Sequence, residues 1–173
     1  MGKTFFTADT HFGHTEMIEY TRRPFSSVEQ MNIALIRNIN ERVKVDDNLF
    51  VLGDFAFKGL GANYRDQINC KNVVFVVGNH DWNNGVKSKI IGCLIHAGGK
   101  DIWMAHDPKN TQPDFELNLC GHVHKLWKGF EMNGAFLVNV GVDVWNYRPV
   151  ELSEVLSYFD KFKKNTNKVE VKI

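Results

Sequence analysis

The sequence predicts an α/β fold in which two β-sheets pack together and helices flank them. Three observations carry that reading. Apolar strand-like runs alternate with helical ones over the first hundred residues, shorter strands joined by loops follow, and no linker, repeat or low-complexity segment divides the chain. A chain of 173 residues can bury one sizeable core, so residues 1–173 are expected to form a single domain.

Thr4–Ala8 reads as the first strand, and a short helix follows near Glu16–Thr21. A longer helix is expected from Ser27 to Val43, because Val28, Met31, Leu35, Ile39 and Val43 recur three or four residues apart. Ser26, with Glu29 three residues on, supplies a capping box at its start. Further strands are expected at Asn48–Leu52, Val73–Val77 and Ile102–Ala105, with helical stretches at Tyr64–Ile68 and Lys87–His96. Strand and helix in alternation is the pattern of a mostly parallel sheet covered by helices. Leu117–Cys120, Ala135–Val140 and Val150–Leu152 then read as short strands of a second, more antiparallel sheet. Ser153–Lys164 is an amphipathic helix, with Val155, Leu156, Phe159 and Phe162 facing inward. Val169, Val171 and Ile173 alternate with charges, as in an edge strand guarded by lysines.

Composition narrows the function classes. Hydrophobic residues at 43% and charged residues at 24% fit a globular chain, not a disordered or fibrous one. A formal net charge of +1 supplies no global field for nucleic acid or a membrane, so any such contact has to be local. No run nears the roughly 18 apolar residues of a membrane span. The N-terminus, MGKTFFTADTHF, has no signal-peptide apolar core, and Phe6 occupies the position where myristoylation needs Ser or Thr. Cys70, Cys93 and Cys120 are odd in number and form no Cys-x-x-Cys pair, so buried thiols in a reducing, cytoplasmic setting are expected.

The ends of the expected strands carry the chemistry. The first ends in Asp9-Thr10-His11, the second in Gly53-Asp54, the third in Gly78-Asn79-His80-Asp81, the fourth in His106-Asp107, and Leu117–Cys120 runs into Gly121-His122-Val123-His124. Ligands bind at the carboxyl ends of strands in open α/β sheets. Each cluster alone could be a turn, a capping carboxylate or a structural histidine. Together they place five of the seven histidines directly after apolar strands, and polar groups are not gathered at a core edge without a partner. Asp9, His11, Asp54, Asn79, His106, His122 and His124 give seven candidate donors, too many for one tetrahedral zinc. Two divalent ions about 3.5–4 Å apart fit that number, and they would bridge and acidify a water while holding a phosphoryl group for in-line attack. Imidazole, carboxylate and amide oxygen without thiolate suit Mn, Fe, Zn or Ni.

These motifs, in this order and approximate spacing from residue 3 to residue 152, resemble the calcineurin-like metallophosphoesterases. TADTHFGH, RRPFSSVEQM, VLGDFAF and NVGVDVWNYRPV are similar to small bacterial and phage-type members of that family. The resemblance implies two mixed sheets packed as a sandwich and flanked by helices. It implies that Asp9, His11 and His124 hold one metal, that Asn79, His106 and His122 hold a second, and that Asp54 bridges them. His80 would then be a catalytic proton donor or electrostatic stabiliser rather than a ligand, and Asp81 would orient it. The protein-phosphatase branch carries Gly-Asp-x-x-Asp-Arg-Gly, whereas this chain has GDFAFKG, with Phe57 and Lys58 in place of Asp and Arg. A small phosphodiester or phosphomonoester, nucleotide-like, is therefore favoured over a phosphoprotein.

Substrate contacts are expected from His14, Arg22, Arg23 and Arg148, the last beside Trp145 and Tyr147, because guanidinium and aromatic groups suit a nucleotide. Surface packing is the plainer explanation of the same residues. Two other functions remain open at the level of sequence. A nuclease acting on DNA or RNA ends would bind with a steep salt dependence, which a net charge of +1 does not promise. A non-catalytic module would use the metal for structure, but an unligated His80 beside seven donors argues for catalysis.

Overall fold

A computed structural model describes residues 2–132 and 134–166. The expected strand at 169–173 lies outside them. The described strands are β1 (Thr4–Thr7), β2 (Asn48–Leu52), β3 (Asn72–Val76), β4 (Gly92–Ala97), β5 (Lys100–Ala105), β6 (Leu117–Cys120), β7 (Gly129–Met132), β8 (Ala135–Asn139) and β9 (Val150–Glu151). Helices are α1 (Glu16–Tyr20), α2 (Val28–Arg42), α3 (Gly61–Arg65) and α4 (Leu152–Thr166). One sheet has the order β3-β2-β1-β9 and the other β4-β5-β6-β8-β7. Both are mixed: β1, β2 and β3 run parallel with β9 antiparallel, and β5, β6 and β8 run parallel between antiparallel edges.

Alternation along β1 explains the layering. Phe5 joins Met31, Leu35 and Ile39 of α2, with Leu49 and Val51 of β2, in one apolar cluster. Phe6 and Ala8, on the other face, meet Ile102, Met104, Leu117 and Leu119 of the second sheet, with Val155 and Phe159 of α4 completing that cluster. α2 starts one residue later than expected. Ser27, in extended geometry, is the N-cap and accepts the Gln30 N–H at 3.2 Å, while the Gln30 side chain accepts the Ser26 N–H at 2.7 Å. The box is therefore Ser27 with Gln30, not Ser26 with Glu29.

The division between the sheets also differs from expectation. Lys87–His96 is not helical: β4 pairs antiparallel with β5 through a turn at Gly98 and Gly99, both at positive φ. A Gly-Gly pair between β-branched and apolar residues is a hairpin signal, and it outweighs the helical spacing. Without a crossover helix, β5 joins the second sheet, and β9 returns to pair with β1 in the first. Cys70 and Cys120 are buried free thiols, and Cys93 is a half-buried one. Among the described residues no helix is long and apolar enough to cross a membrane.

Phe6 sits fully buried between the sheets, so Phe6→Ala should cost about 3–5 kcal/mol. Ser27→Ala should cost only about 1 kcal/mol, the worth of one cap. Urea unfolding of the two variants checks the order, and equal costs would contradict the layering.

Candidate metal centre

The centre forms where the carboxyl ends of both sheets meet. The segments after β1 and β2 deliver Asp9, His11 and Asp54, and the loop after β3 delivers Asn79 and His80. From the second sheet come His106 after β5, then His122 and His124 after β6. Backbone bonds stitch the ends together. The Asp9 N–H donates to the Gly53 carbonyl (3.1 Å), Gly121 to His106 (3.0 Å), and Val142 to Ala8 (3.0 Å).

Five of the seven expected ligands, Asp9, His11, Asp54, His122 and His124, have φ between 47° and 70°. The left-handed region costs a non-glycine residue about 1–3 kcal/mol and persists only where its surroundings enforce it. Two glycines allow the segments to close in. A Cβ on Gly53 would overlap the His106 ring, and one on Gly78 would overlap the Asp54 carboxylate.

Donor atoms converge in two groups. Asp9, His11 and His124 offer ligand atoms within 4.8 Å of one another, as do Asp9, Asp54 and His106. Asn79 Oδ1 lies 3.1 Å from His106 Nε2 and 2.9 Å from His122 Nδ1, which adds an amide oxygen and an imidazole to the second group. Asp54 stands between them: its Oδ2 is 3.5 Å from His11 Nε2 and 3.4 Å from His106 Nε2.

Burial sets the protonation states. It pushes the His11 imidazole down to about 2, so the ring is neutral, the form that binds a cation. Burial also raises Asp9. It opposes charge on Asp54 too, but the hydrogen bond and charge of His106 outweigh it and hold that carboxyl below the usual range. His106 in turn resists its own burial through Asp54 and Asp9 and is held up at about 9. His11 Nε2 is buried without a hydrogen-bond partner, a rare and costly condition for a polar atom. The orphaned nitrogen, the neutral ring and the two buried carboxylates fit divalent cations.

A supporting layer fixes the rings. His106 Nδ1 lies 2.8 Å from the Leu52 carbonyl and His124 Nδ1 2.8 Å from Asp143 Oδ2, so each presents Nε2 inward. His14 Nδ1 lies 3.4 Å from His11 Nδ1, and its ring stacks on Phe57 at 4.4 Å. His14 is thus engaged within its loop, and its ring lies 6.0 Å from that of His80 between centroids. Asp81 does not reach the His80 ring. Its carboxylate accepts the N–H groups of Asp54 (2.8 Å), Phe55 (3.0 Å) and Gly78 (2.7 Å), and also the Asn84 amide, pinning two loops together.

Arg23 is not a substrate contact either. Its buried guanidinium binds Asp143 at 2.9 and 3.0 Å and donates to the Asp9 and Thr10 carbonyls at 2.6 and 3.0 Å. Arg148 is exposed on the turn after residues 142–144, where Trp145 donates to the Asn139 carbonyl and Tyr147 packs on Phe25. Arg22 remains exposed beside His124 in a surface cavity. Sequence reasoning missed Asp143, and also Asn139, whose side-chain amide donates to the His124 carbonyl at 2.8 Å. The signal was available, because Asp143 follows the apolar run of β8 as the other site residues follow theirs.

Two mixed sheets whose strand ends gather carboxylates, imidazoles and an amide form a candidate metal centre on an α/β fold. The chain belongs to the calcineurin-like phosphoesterase family, whose profile matches residues 2–172. An uncharacterized protein of Methanocaldococcus jannaschii is 33% identical over 174 residues, 94% of each chain. A protein of unknown function from Aquifex aeolicus shares the fold, with a TM-score of 0.71 at 22% identity over 91% of this chain and all of that one.

Asp143→Asn should weaken divalent-metal binding about 10- to 100-fold, because His124 loses the carboxylate that holds its ring. Metal titration followed by calorimetry checks it, and wild-type affinity would remove Asp143 from the centre.

Proposed function

We propose that the protein hydrolyses a small phosphate ester with two divalent ions. Asp9, His11 and His124 would hold one ion, Asn79, His106 and His122 the other, with Asp54 between them. The observation that carries this reading is the placement of one Asp54 oxygen, 3.5 and 3.4 Å from an imidazole of each group. Bound ions supply an acidified water and positive charge for the phosphoryl oxygens.

The chain's own side chains do the rest. Neutral His11 and the ionised Asp54 carboxylate are in the form that binds a cation, and a bound ion would displace the proton that Asp54 and Asp9 hold on His106. Asp54 also accepts the His80 N–H through Oδ1 at 2.9 Å, which ties His80 to the centre through the backbone. The His80 ring is exposed and lies 5.4 Å from the His11 ring, where it can give a proton to a departing ester oxygen. Where a protein phosphatase carries Asp and Arg, Phe57 stacks on His14 and Lys58 covers Phe57, which makes an aromatic wall suited to a small ester. Mn, Fe, Zn and Ni all suit the donor set.

Asp54→Asn should lose metal and activity together. His80→Ala should keep its metal and lose about 10²–10⁴ in kcat on an aryl phosphate ester. Metal analysis beside kinetics separates the two, and a His80→Ala enzyme as fast as wild type would remove the proton role.

A further inference from the structure

Two cavities adjoin the metal centre, one against each donor group. A cavity of about 630 Å³ opens beside His124 and is walled by Met17, Tyr20, Arg22, Val123, Lys125 and Leu126. A second, of about 240 Å³, opens beside Asn79 and His106 and is walled by Trp82, Ile91 and Asn110. They share no lining residue. The four most exposed large apolar side chains among the described residues are Trp82 (80%), Leu126 (79%), Tyr20 (75%) and Ile91 (71%). All four line one of these two cavities. Isolated exposed apolar residues need no explanation, but a set gathered on both sides of a polar centre marks a binding surface.

Resting on the phosphoesterase reading, we propose that the substrate is a phosphodiester with two unequal organic groups. The larger is nucleoside-like and lies in the Tyr20–Leu126 cavity, and the smaller lies against Trp82 and Ile91. The larger cavity falls in the size range of ligand pockets, about 300–1,000 Å³, and the smaller lies below it. Arg22 faces the larger group with a planar cation that stacks on a base, and Tyr20 offers an aromatic face. Lys125 donates to the Arg22 carbonyl at 2.8 Å and so holds the two walls of the cavity together. A phosphomonoester has one organic group and would leave one apolar cavity in contact with water. In the reaction, water adds to phosphorus and one P–O ester bond breaks. The departing oxygen takes a proton, which leaves a monoester and an alcohol.

The test compares manganese-loaded protein on thymidine 5′-(4-nitrophenyl phosphate), bis(4-nitrophenyl) phosphate and 4-nitrophenyl phosphate. Both diesters should exceed the monoester at least about tenfold in kcat/KM, and the thymidine ester should have the lowest KM. The double variant Tyr20→Ala/Leu126→Ser should raise KM for the thymidine ester about tenfold, the scale of lost apolar contact. Trp82→Ala should raise KM for both diesters. These side chains are exposed, so the variants should fold, and bound manganese is measured in each. A monoester turned over as fast as the diesters overturns the inference and leaves the phosphoesterase reading standing, as do unchanged KM values in the variants. No hydrolysis of any ester by metal-loaded protein overturns that reading and the inference with it.

Discussion

The structure is organised around one buried carboxylate. Asp54 sits at the end of β2 with Oδ2 poised between His11 and His106 and Oδ1 holding the His80 N–H. A buried charge is tolerated only when it is paired and hydrogen-bonded. Its neighbours are arranged accordingly. Gly78 has no side chain because any Cβ would strike that carboxylate, and Asp81 anchors the Asp54 and Gly78 N–H groups so that the two segments cannot drift apart.

Holding the centre conflicts with local backbone preference. Five of the candidate ligand residues are at positive φ, at about 1–3 kcal/mol each, a sum on the order of the whole net stability of a domain. The two apolar clusters on either face of β1 offset that strain, and so do the bonds that tie the strand ends to one another. The Arg23–Asp143 pair belongs to the same device. It joins the backbone of Asp9 and Thr10 to the ring of His124, so a residue from each sheet is fixed by one buried ion pair.

Much of this was legible in the sequence because it is periodic or terminal. The α2 face from Val28 to Val43 and the apolar runs of β1, β2, β3, β6 and β8 declare themselves by spacing. The candidate ligands stand out as polar clusters directly after those runs. What was not legible depends on partners far along the chain. β4 passes for a helix until it is paired with β5, and β9 reveals its sheet only by meeting β1. Arg23 looks like an anion receptor next to Arg22 and Pro24, yet its partner lies 120 residues away. Asp81 seemed to serve His80, its neighbour in sequence, and instead serves the backbone of Asp54 and Phe55.

The central claim is that Asp54 separates two ion positions. Anomalous diffraction from crystals of the manganese-loaded protein addresses it directly. The account predicts two peaks about 3.5–4 Å apart, one against Asp9, His11 and His124 and one against Asn79, His106 and His122, with Asp54 touching both. A single peak, or two peaks that leave Asp54 outside contact with one of them, would contradict it.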